Sequence, residues 1–248
     1  MLHGPQSGLF DLDFRLPSEC ADRLASGQAD IGIIPSFELT RQRVEVIRGT
    51  GIASHGAVRS ILLVSSCPAP QIRVLAADSS SRTSVALARI ILERRYGASP
   101  GVHSQAPDLQ AMLSAADAAL IIGDPALRID LVPGRYYAYD LGSEWMEMTG
   151  LPMVFAVWAG GKEAVTPEVS RAFRESYFYG REHMEDIVRS EALARNFPAA
   201  LVREYLTKHI VHELTARDYE GMELFLEYAR QLQPGVERSP VVDPAAAV

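Results

Sequence analysis

The chain has 248 residues, of which 48% are hydrophobic and 22% are charged, a composition typical of a globular protein with one large domain or two small α/β lobes. Its formal net charge of −7 excludes an overall basic field that would hold nucleic acid or an anionic membrane surface. No segment has the ~18 apolar residues of a membrane span or the basic start of an export signal, so we expect a cytoplasmic protein.

The first half of the chain predicts alternating strands and helices. A short strand at residues 12–16 precedes a helix whose N-cap is Ser18 and whose stop signal is Gly27. The apolar run ADIGIIPS then predicts a buried parallel strand that ends in a Pro-Ser turn. Two further strands and a long amphipathic helix are predicted in VRSILLVSS, IRVLAAD and SSSRTSVALARIILERRYG.

The second half continues the alternation as far as residue 160. A short helix in LQAMLSA leads to a strand, AALIIGD, that ends in a Gly-Asp-Pro turn. A helix closed by Gly150 precedes the strand MVFAVWA, and residues 167–232 are almost wholly helical, with a break at Asn196-Phe197-Pro198. This order predicts a largely parallel α/β sheet, whose ligands gather outside the carboxyl ends of the strands.

That rule selects three loops as candidate binding elements: Pro35-Ser36, residues 78–84 and Gly123-Asp124-Pro125. The middle loop carries the clearest signal, because hydroxyls and free backbone N–H groups at the start of a helix bind a carboxylate or a phosphate. Its best placed contacts are Ser80, Thr83 and Ser84. The alternative is that one of the serines only caps the helix.

Charged residues near these loops supply further candidates. Arg59 and Arg82 could each provide the positive charge that a dianion needs, although Arg59 could equally be a solvated charge at a strand end. Ser60 precedes a strand and either faces the ligand or points sideways in the sheet. Asp124 directly follows an apolar strand, where burial could suit it for proton transfer; the alternative is an Asx-turn acceptor before Pro125.

No motif predicts a metal or a nucleotide. Cys20 and Cys67 stand alone, and the six histidines have no metal-binding spacing. The segments GPQSG and AGGKE contain glycines without the spacing of a phosphate-binding loop.

Taken together, five segments resemble successive blocks of the chorismate dehydratase family, which acts in the futalosine route to menaquinone. The segments are ADIGIIPSFEL, GAVRSILLVSS, AADSSSRTSVALARIIL, ADAALIIGDPAL and YDLGSEWMEMTGLPMVFAVWA. They lie in the family's order and cover roughly residues 12 to 160. Their joint occurrence is specific, whereas each block alone is a weak signal.

The resemblance implies an α/β, two-lobed fold like that of type II periplasmic binding proteins, with the substrate cleft between the lobes. Lobe 1 would comprise residues 1–62 and 158–235, lobe 2 residues 63–157, and residues 236–248 a flexible tail. The crossing strands would lie near residues 62–66 and 154–159. The substrate contacts expected from the resemblance and the loops together are Ser36, Arg59, Ser60, Ser80, Arg82, Thr83, Ser84 and Gly123, with Asp124 as candidate base.

The implied reaction converts chorismate, a dicarboxylate, to 3-[(1-carboxyvinyl)oxy]benzoate and water, with no metal or organic cofactor. Either Asp124 or the substrate's own enolpyruvyl carboxylate could accept the proton. Family members begin with a strand and an asparagine-containing turn that faces the substrate, whereas the only asparagine here is Asn196. We therefore expect that a first strand and one substrate contact precede Met1 in the complete protein, and that the chain as given is impaired.

Two other functions share the expected fold. A solute receptor for an organic anion would bind without turnover. A 1,4-dihydroxy-6-naphthoate synthase, the related enzyme of the same pathway, would place a basic histidine in the cleft. Only His103 comes close to following a predicted strand, and it lies in a loop.

Overall fold

The structure is a computed structural model that describes residues 1–78, 80–130 and 134–232. It contains two β-sheets with helices packed around them. Its helices are α1 (Pro17–Ala25), α2 (Arg82–Tyr96), α3 (Leu109–Ala115), α4 (Asp124–Leu127), α5 (Leu141–Thr149), α6 (Pro167–Glu182), α7 (Met184–Arg195), α8 (Ala199–Glu204) and α9 (Ala216–Gln231). Its strands are β1 (Ile31–Pro35), β2 (Glu45–Ser54), β3 (Ile61–Ser65), β4 (Val74–Ala77), β5 (Gly101–Ser104), β6 (Ala118–Ile122), β7 (Tyr137–Asp140), β8 (Met153–Gly160) and β9 (Val211–Glu213).

The first sheet has four strands in the order β1-β8-β2-β9. All of its neighbouring strands are antiparallel, so the prediction that β1 is a parallel strand is wrong. Strand β2 was missed because Gly49 and Gly51 interrupt its alternation. A Cβ on Gly51 would lie 2.7 Å from Leu214 Cδ1 and 2.8 Å from the Ala156 carbonyl oxygen, so the bulged pairing of β2 requires a glycine there.

The second sheet has five strands in the order β5-β4-β6-β3-β7. Strand β4 is parallel to β5 and β6, whereas β3 runs antiparallel to β6 and β7. The prediction of a largely parallel sheet is therefore correct only for three strands of one sheet. Helix α2 covers this sheet with a fully buried row that includes Leu87, Ile90 and Ile91.

The predicted helices are largely confirmed, with differences at the beginning of the chain. Residues 12–16 form no strand, and the side chains of Phe14 and Leu16 are exposed. Helix α1 begins two residues earlier than predicted, with Leu16 instead of Ser18 in the N-cap position, since the Glu19 carboxylate accepts a hydrogen bond from the Leu16 N–H over 3.2 Å. The predicted stop signals Gly27 and Gly150 have the expected left-handed backbone, and so does Gly97 at the end of α2.

The chain passes between the sheets at residues 55–60 and again at 141–152. The strands that we expected to cross, at residues 62–66 and 154–159, instead lie each within one sheet as parts of β3 and β8. The division into lobes at residues 62/63 and 157/158 stays a prediction. The expected flexible tail at 236–248, with residues 233–235 of lobe 1, lies outside the described residues.

Candidate active site

One edge of the five-stranded sheet collects most of the predicted site residues. The parallel strands β5, β4 and β6 end at this edge, and the antiparallel strand β3 begins there. The loop after β4 therefore lies beside Gly123 and Asp124 after β6, and beside Arg59 and Ser60 before β3. A hydrogen bond from the Asp78 N–H to the Leu120 carbonyl (3.1 Å) joins the residue after β4 to the middle of β6. Two of the three loops that the edge rule selected therefore lie at one edge of a mixed sheet, whereas Pro35-Ser36 ends β1 of the other sheet. Ligand binding at these loops stays a prediction.

The beginning of α2 is held by hydroxyl and carboxylate contacts within the loop. Ser81 is the N-cap, and its Oγ accepts hydrogen bonds from the N–H and the hydroxyl of Ser84 at 3.4 and 3.0 Å. The Ser80 N–H donates to Asp78 Oδ1 over 2.9 Å. The capping alternative is therefore correct for Ser81, and the Ser84 hydroxyl is engaged in the cap.

A recess of about 420 Å³ opens beside this loop. Asp78 and Ser80 after β4, and residues 104–107 after β5, form one side of it. Leu16, Ser18 and Glu19 at the start of α1 also line it. Of the three hydroxyl residues predicted to contact an anion, only Ser80 lines the recess; Thr83 and Ser84 are fully buried.

Thr83 connects α2 to the first sheet. Its Oγ1 accepts a hydrogen bond of 3.0 Å from the N–H of Phe37, just beyond the end of β1. The neighbouring residue, Ser36, is fully buried, and its hydroxyl has no hydrogen-bond partner among the described residues. Buried hydroxyls are almost always paired, so an unpaired one at a strand end is a candidate ligand contact.

Arg82 is held in an ion-pair network. Its guanidinium contacts Glu38 at 3.1 Å and Asp22 at 2.9 Å, which ties α2 to α1 and to the turn after β1. Burial acts to lower the pKa of Arg82, but the hydrogen bonds to Asp22 and Glu38 outweigh it, and the pKa is raised. Its positive charge is thus already balanced by two carboxylates. Substrate binding by Arg82 stays a prediction that this pairing disfavours.

Arg59 has a different environment. It has a left-handed backbone (φ 62°), which is unfavourable for a side chain of this size, and its side chain is exposed. Asp140 fixes this conformation, because its carboxylate accepts the N–H groups of Val58 (2.9 Å) and Arg59 (2.6 Å). No described residue forms an ion pair with the guanidinium. Arg59 is therefore the arginine at this edge that is free to contact an anion.

Ser60 forms a backbone hydrogen bond with Gly123 and a side-chain hydrogen bond with Tyr205, which is far away in the sequence. The Gly123 N–H donates to the Ser60 carbonyl over 2.7 Å, and the Tyr205 hydroxyl donates to Ser60 Oγ over 2.9 Å. Burial raises the pKa of Tyr205. Tyr205 opens a π-helical turn, Tyr205–His209, a distortion that often occurs at functional sites. Sequence analysis missed it because no local pattern marks a residue 145 positions from its partner.

Asp124 is the first residue of α4 and is partly exposed. Its Oδ2 accepts a hydrogen bond of 3.0 Å from Arg195 at the end of α7. Its Oδ1 has no partner among the described residues. Among the described residues the structure shows no Asx turn at Asp124: its carboxylate contacts Arg195, and one oxygen remains open to a ligand.

A histidine–carboxylate pair lies at the first passage between the sheets. His55 directly follows β2, and its Nε2 is 2.8 Å from Oδ1 of the buried Asp218. Burial acts to raise the pKa of Asp218, but hydrogen bonds from Thr215 and His55 outweigh it and lower the pKa. This pair connects the segment 55–60, which passes between the sheets, to the beginning of α9.

The described residues contain neither a metal-ligand cluster nor a membrane-spanning helix. Across residues 1–78, 80–130 and 134–232, no group of three or more His, Cys, Asp or Glu side chains is arranged to hold a metal ion. No helix in those ranges is both long and apolar enough to cross a membrane.

The fold places the chain among proteins with a periplasmic-binding-protein-like architecture. It is similar to a crystal structure from Archaeoglobus fulgidus, with a TM-score of 0.64, 16% identity, and coverage of 88% of this chain and 84% of that one. It is also similar to the alkanesulfonate-binding protein of Xanthomonas axonopodis pv. citri, with a TM-score of 0.61, 16% identity, and coverage of 90% and 83%. These similarities establish the two-lobed fold that we expected.

The sequence comparisons define the family. A family model described as menaquinone biosynthesis matches residues 6–231, and the chain belongs to that family. The chorismate dehydratase of Thermus thermophilus is 28% identical over 230 residues, which cover 86% of this chain and 84% of the relative. The chorismate dehydratase of Campylobacter jejuni is 26% identical over 219 residues, which cover 88% and 82%. The resemblance stated from the sequence is confirmed.

Proposed function

We propose that this protein is a chorismate dehydratase, a hydro-lyase that removes water from chorismate in menaquinone biosynthesis. The observation that carries the proposal is the match to chorismate dehydratases along most of both chains, in the family to which this chain belongs. The geometry of the sheet edge is compatible with this substrate. We further propose that the protein acts in the cytoplasm, as an enzyme of intracellular metabolism.

Two features of the edge suit a dicarboxylate. The exposed guanidinium of Arg59 can form a paired hydrogen bond with one carboxylate. The beginning of α2, with the Ser80 side chain in the recess, offers partial positive charge and a hydroxyl to the other. The unpaired hydroxyl of Ser36 would contact a polar group of the same ligand. Gly123, with its left-handed backbone (φ 70°), leaves space at the end of β6.

For this reaction the enzyme has to position the substrate and provide one proton acceptor. A base takes the C3 proton of chorismate, the electron pair of the C3–H bond forms the new C3–C4 double bond, and the C4–O bond breaks. The departing hydroxide takes up one proton in exchange for the one removed from C3, so the products are the aromatic ring and water. The product ring is aromatic, so the driving force is large, and the enzyme must orient and desolvate the substrate. We propose Asp124 as the acceptor, because its Oδ1 is open while Arg195 holds Oδ2.

Replacement of Asp124 by Asn tests this role, because the amide keeps the size of the side chain and cannot accept the proton. We expect kcat to fall by about 10²-fold or more with KM little changed. A fall of less than about tenfold would instead indicate that the substrate's own enolpyruvyl carboxylate removes the proton.

One observation favours the related naphthoate synthase as a second candidate. His55 directly follows β2 and pairs with a buried carboxylate, the kind of orientation that a basic histidine needs. Sequence analysis missed this residue because it missed β2. If His55 were the base of a different reaction, the protein would leave chorismate unchanged. The proposed dehydratase would instead retain most chorismate turnover in the His55→Gln variant.

The test of the function itself is incubation of the purified protein with chorismate, followed by chromatography and mass spectrometry. We expect chorismate to be replaced by a product lighter by one water. Saturable binding of chorismate without any product would contradict the proposal and favour a solute receptor, the function of several proteins with this fold.

A further inference from the structure

A second recess lies away from the sheet edge, on the four-stranded sheet. It has a volume of about 260 Å³ and lies where the beginning of β2 faces α9. Arg43 and Arg48 line it from the strand side, and Arg230 lines it from the last turn of α9. Among the described residues that line it, Glu223 has the one carboxylate. The recess therefore has two more positive than negative charges, in a chain whose net charge is −7.

In the described part of the chain these three arginines share with Arg59 the lack of a carboxylate partner, but unlike Arg59 they line one recess together. Arg82, Arg95, Arg195 and Arg203 each form ion pairs of 3.1 Å or less. No ion pair joins Arg43, Arg48 or Arg230 to any residue in the described part of the chain. Three unpaired guanidiniums around one recess repel one another, and an anion between them would relieve that repulsion.

The side chains of the recess are already ordered in the absence of a ligand. The Arg48 guanidinium stacks on the Tyr219 ring, with its Cζ 4.0 Å from the ring centroid. Tyr219 is buried, and its hydroxyl oxygen accepts a hydrogen bond of 2.8 Å from the Gly49 N–H. Side chains that are fixed in advance lose little conformational entropy on binding. The remaining lining is partly apolar, with Val44, Val46, Met222 and Leu226 among its residues.

We propose that this recess is a second ligand site, which binds a phosphate monoester that carries a small apolar or aromatic group. The charge excess matches a dianion, and guanidinium groups bind phosphate through paired hydrogen bonds. The apolar side chains provide a contact for the organic group. This proposal does not depend on the reaction at the sheet edge, since the two sites share no lining residue.

Isothermal titration of the full chain with phenyl phosphate tests the proposal, with inorganic phosphate as a second probe. The variants are Arg48→Gln and Arg230→Gln, and the control is Arg189→Gln, which removes an exposed arginine from α7, where it pairs with Asp186 at 3.5 Å. Arg230→Gln leaves the stacked pair of Arg48 and Tyr219 intact, so it remains informative if Arg48→Gln folds poorly. Circular dichroism reports whether each variant is folded.

We expect saturable binding of phenyl phosphate to the unmodified protein and to Arg189→Gln, with at least about tenfold weaker binding to the two recess variants. We also expect phenyl phosphate to bind more tightly than inorganic phosphate. Absence of saturable binding at millimolar probe, or equal affinity in all four proteins, would overturn the site. Equal affinity for the two probes would overturn the assignment of an organic group.

Discussion

The backbone N–H of Phe37 donates a hydrogen bond of 3.0 Å to the side chain of Thr83. Phe37 follows β1 of the four-stranded sheet, and Thr83 lies in the first turn of α2, which follows β4 of the five-stranded sheet. This contact therefore brings the end of a strand in one sheet to the beginning of a helix on the other. It also places the unpaired hydroxyl of Ser36 at the same junction.

Replacement of Thr83 by Val should destabilise the protein, because it keeps the shape of the side chain and leaves the Phe37 N–H without an acceptor. We expect the free energy of unfolding to fall by about 1–3 kcal/mol. Denaturant unfolding followed by circular dichroism measures this difference. Thr83→Ser is the control, since it keeps the acceptor oxygen and should lose less. An unfolding midpoint in Thr83→Val equal to that of the unmodified protein would contradict the role of this bond.

Arg59 should contribute to substrate affinity. The Arg59→Gln variant removes the exposed positive charge while the Asp140 contacts to the backbone are kept. We expect KM for chorismate to rise about tenfold or more, since a hydrogen bond between charged groups contributes about 1.5–3 kcal/mol. Steady-state kinetics measure the change, and the matched control is Arg189→Gln on α7. An unchanged KM would show that Arg59 is only a solvated charge at a strand end.

Tyr205 should act through Ser60, since its hydroxyl donates to Ser60 Oγ and does not face the recess. We expect Tyr205→Phe to lower kcat/KM for chorismate while the ring keeps its packing. We expect Ser60→Ala to lower it similarly, and the double variant to lose little more than either single one, because residues that act as a unit are not additive. Fully additive losses would contradict a shared role. The four kcat/KM values form the complete test.

The pair of His55 and Asp218 should make stability depend on pH in the acid range. The folded-state pKa of Asp218 lies below its unfolded value. Its stabilising contribution is thus present above about pH 4 and is lost as the pH falls through the lowered folded-state pKa. Asp218→Asn should reduce the free energy of unfolding at neutral pH and flatten its acid decline. Equilibrium unfolding at several pH values measures both effects, and a parallel decline in the two proteins would contradict this account.

The sequence predicted the helices, the loops and the family, because these depend on local patterns. The serine-rich start of α2 and the glycines at positions 97 and 150 are such signals. Strand pairing is not local: β1 and β8 pair antiparallel across more than a hundred residues, and the same apolar runs would suit a parallel sheet. The missed strand β2 contains Gly51, which close packing against Leu214 requires.

The candidate site shows the same difference between features with a local sequence signal and features that depend on non-local contacts. Ser80, Arg59 and Ser60 could be proposed from the sequence because they lie next to strand ends that the pattern predicts. The pairing of Arg82 with Asp22 and Glu38, the contact of Tyr205 with Ser60 and the pair of His55 with Asp218 each join residues at least 44 positions apart. Only folding brings these groups together, so a single sequence contains no signal for them.

The most direct test of the central claim compares chorismate turnover by the unmodified protein and by Ser36→Ala. Because the Ser36 hydroxyl has no hydrogen-bond partner among the described residues, its removal should leave the thermal unfolding temperature unchanged. The account predicts that the unmodified protein dehydrates chorismate and that Ser36→Ala has a kcat/KM about 3- to 10-fold lower, the loss of one neutral hydrogen bond. If the unmodified protein leaves chorismate intact, the proposed function is wrong. If Ser36→Ala is as active as the unmodified protein, the substrate does not bind at this junction.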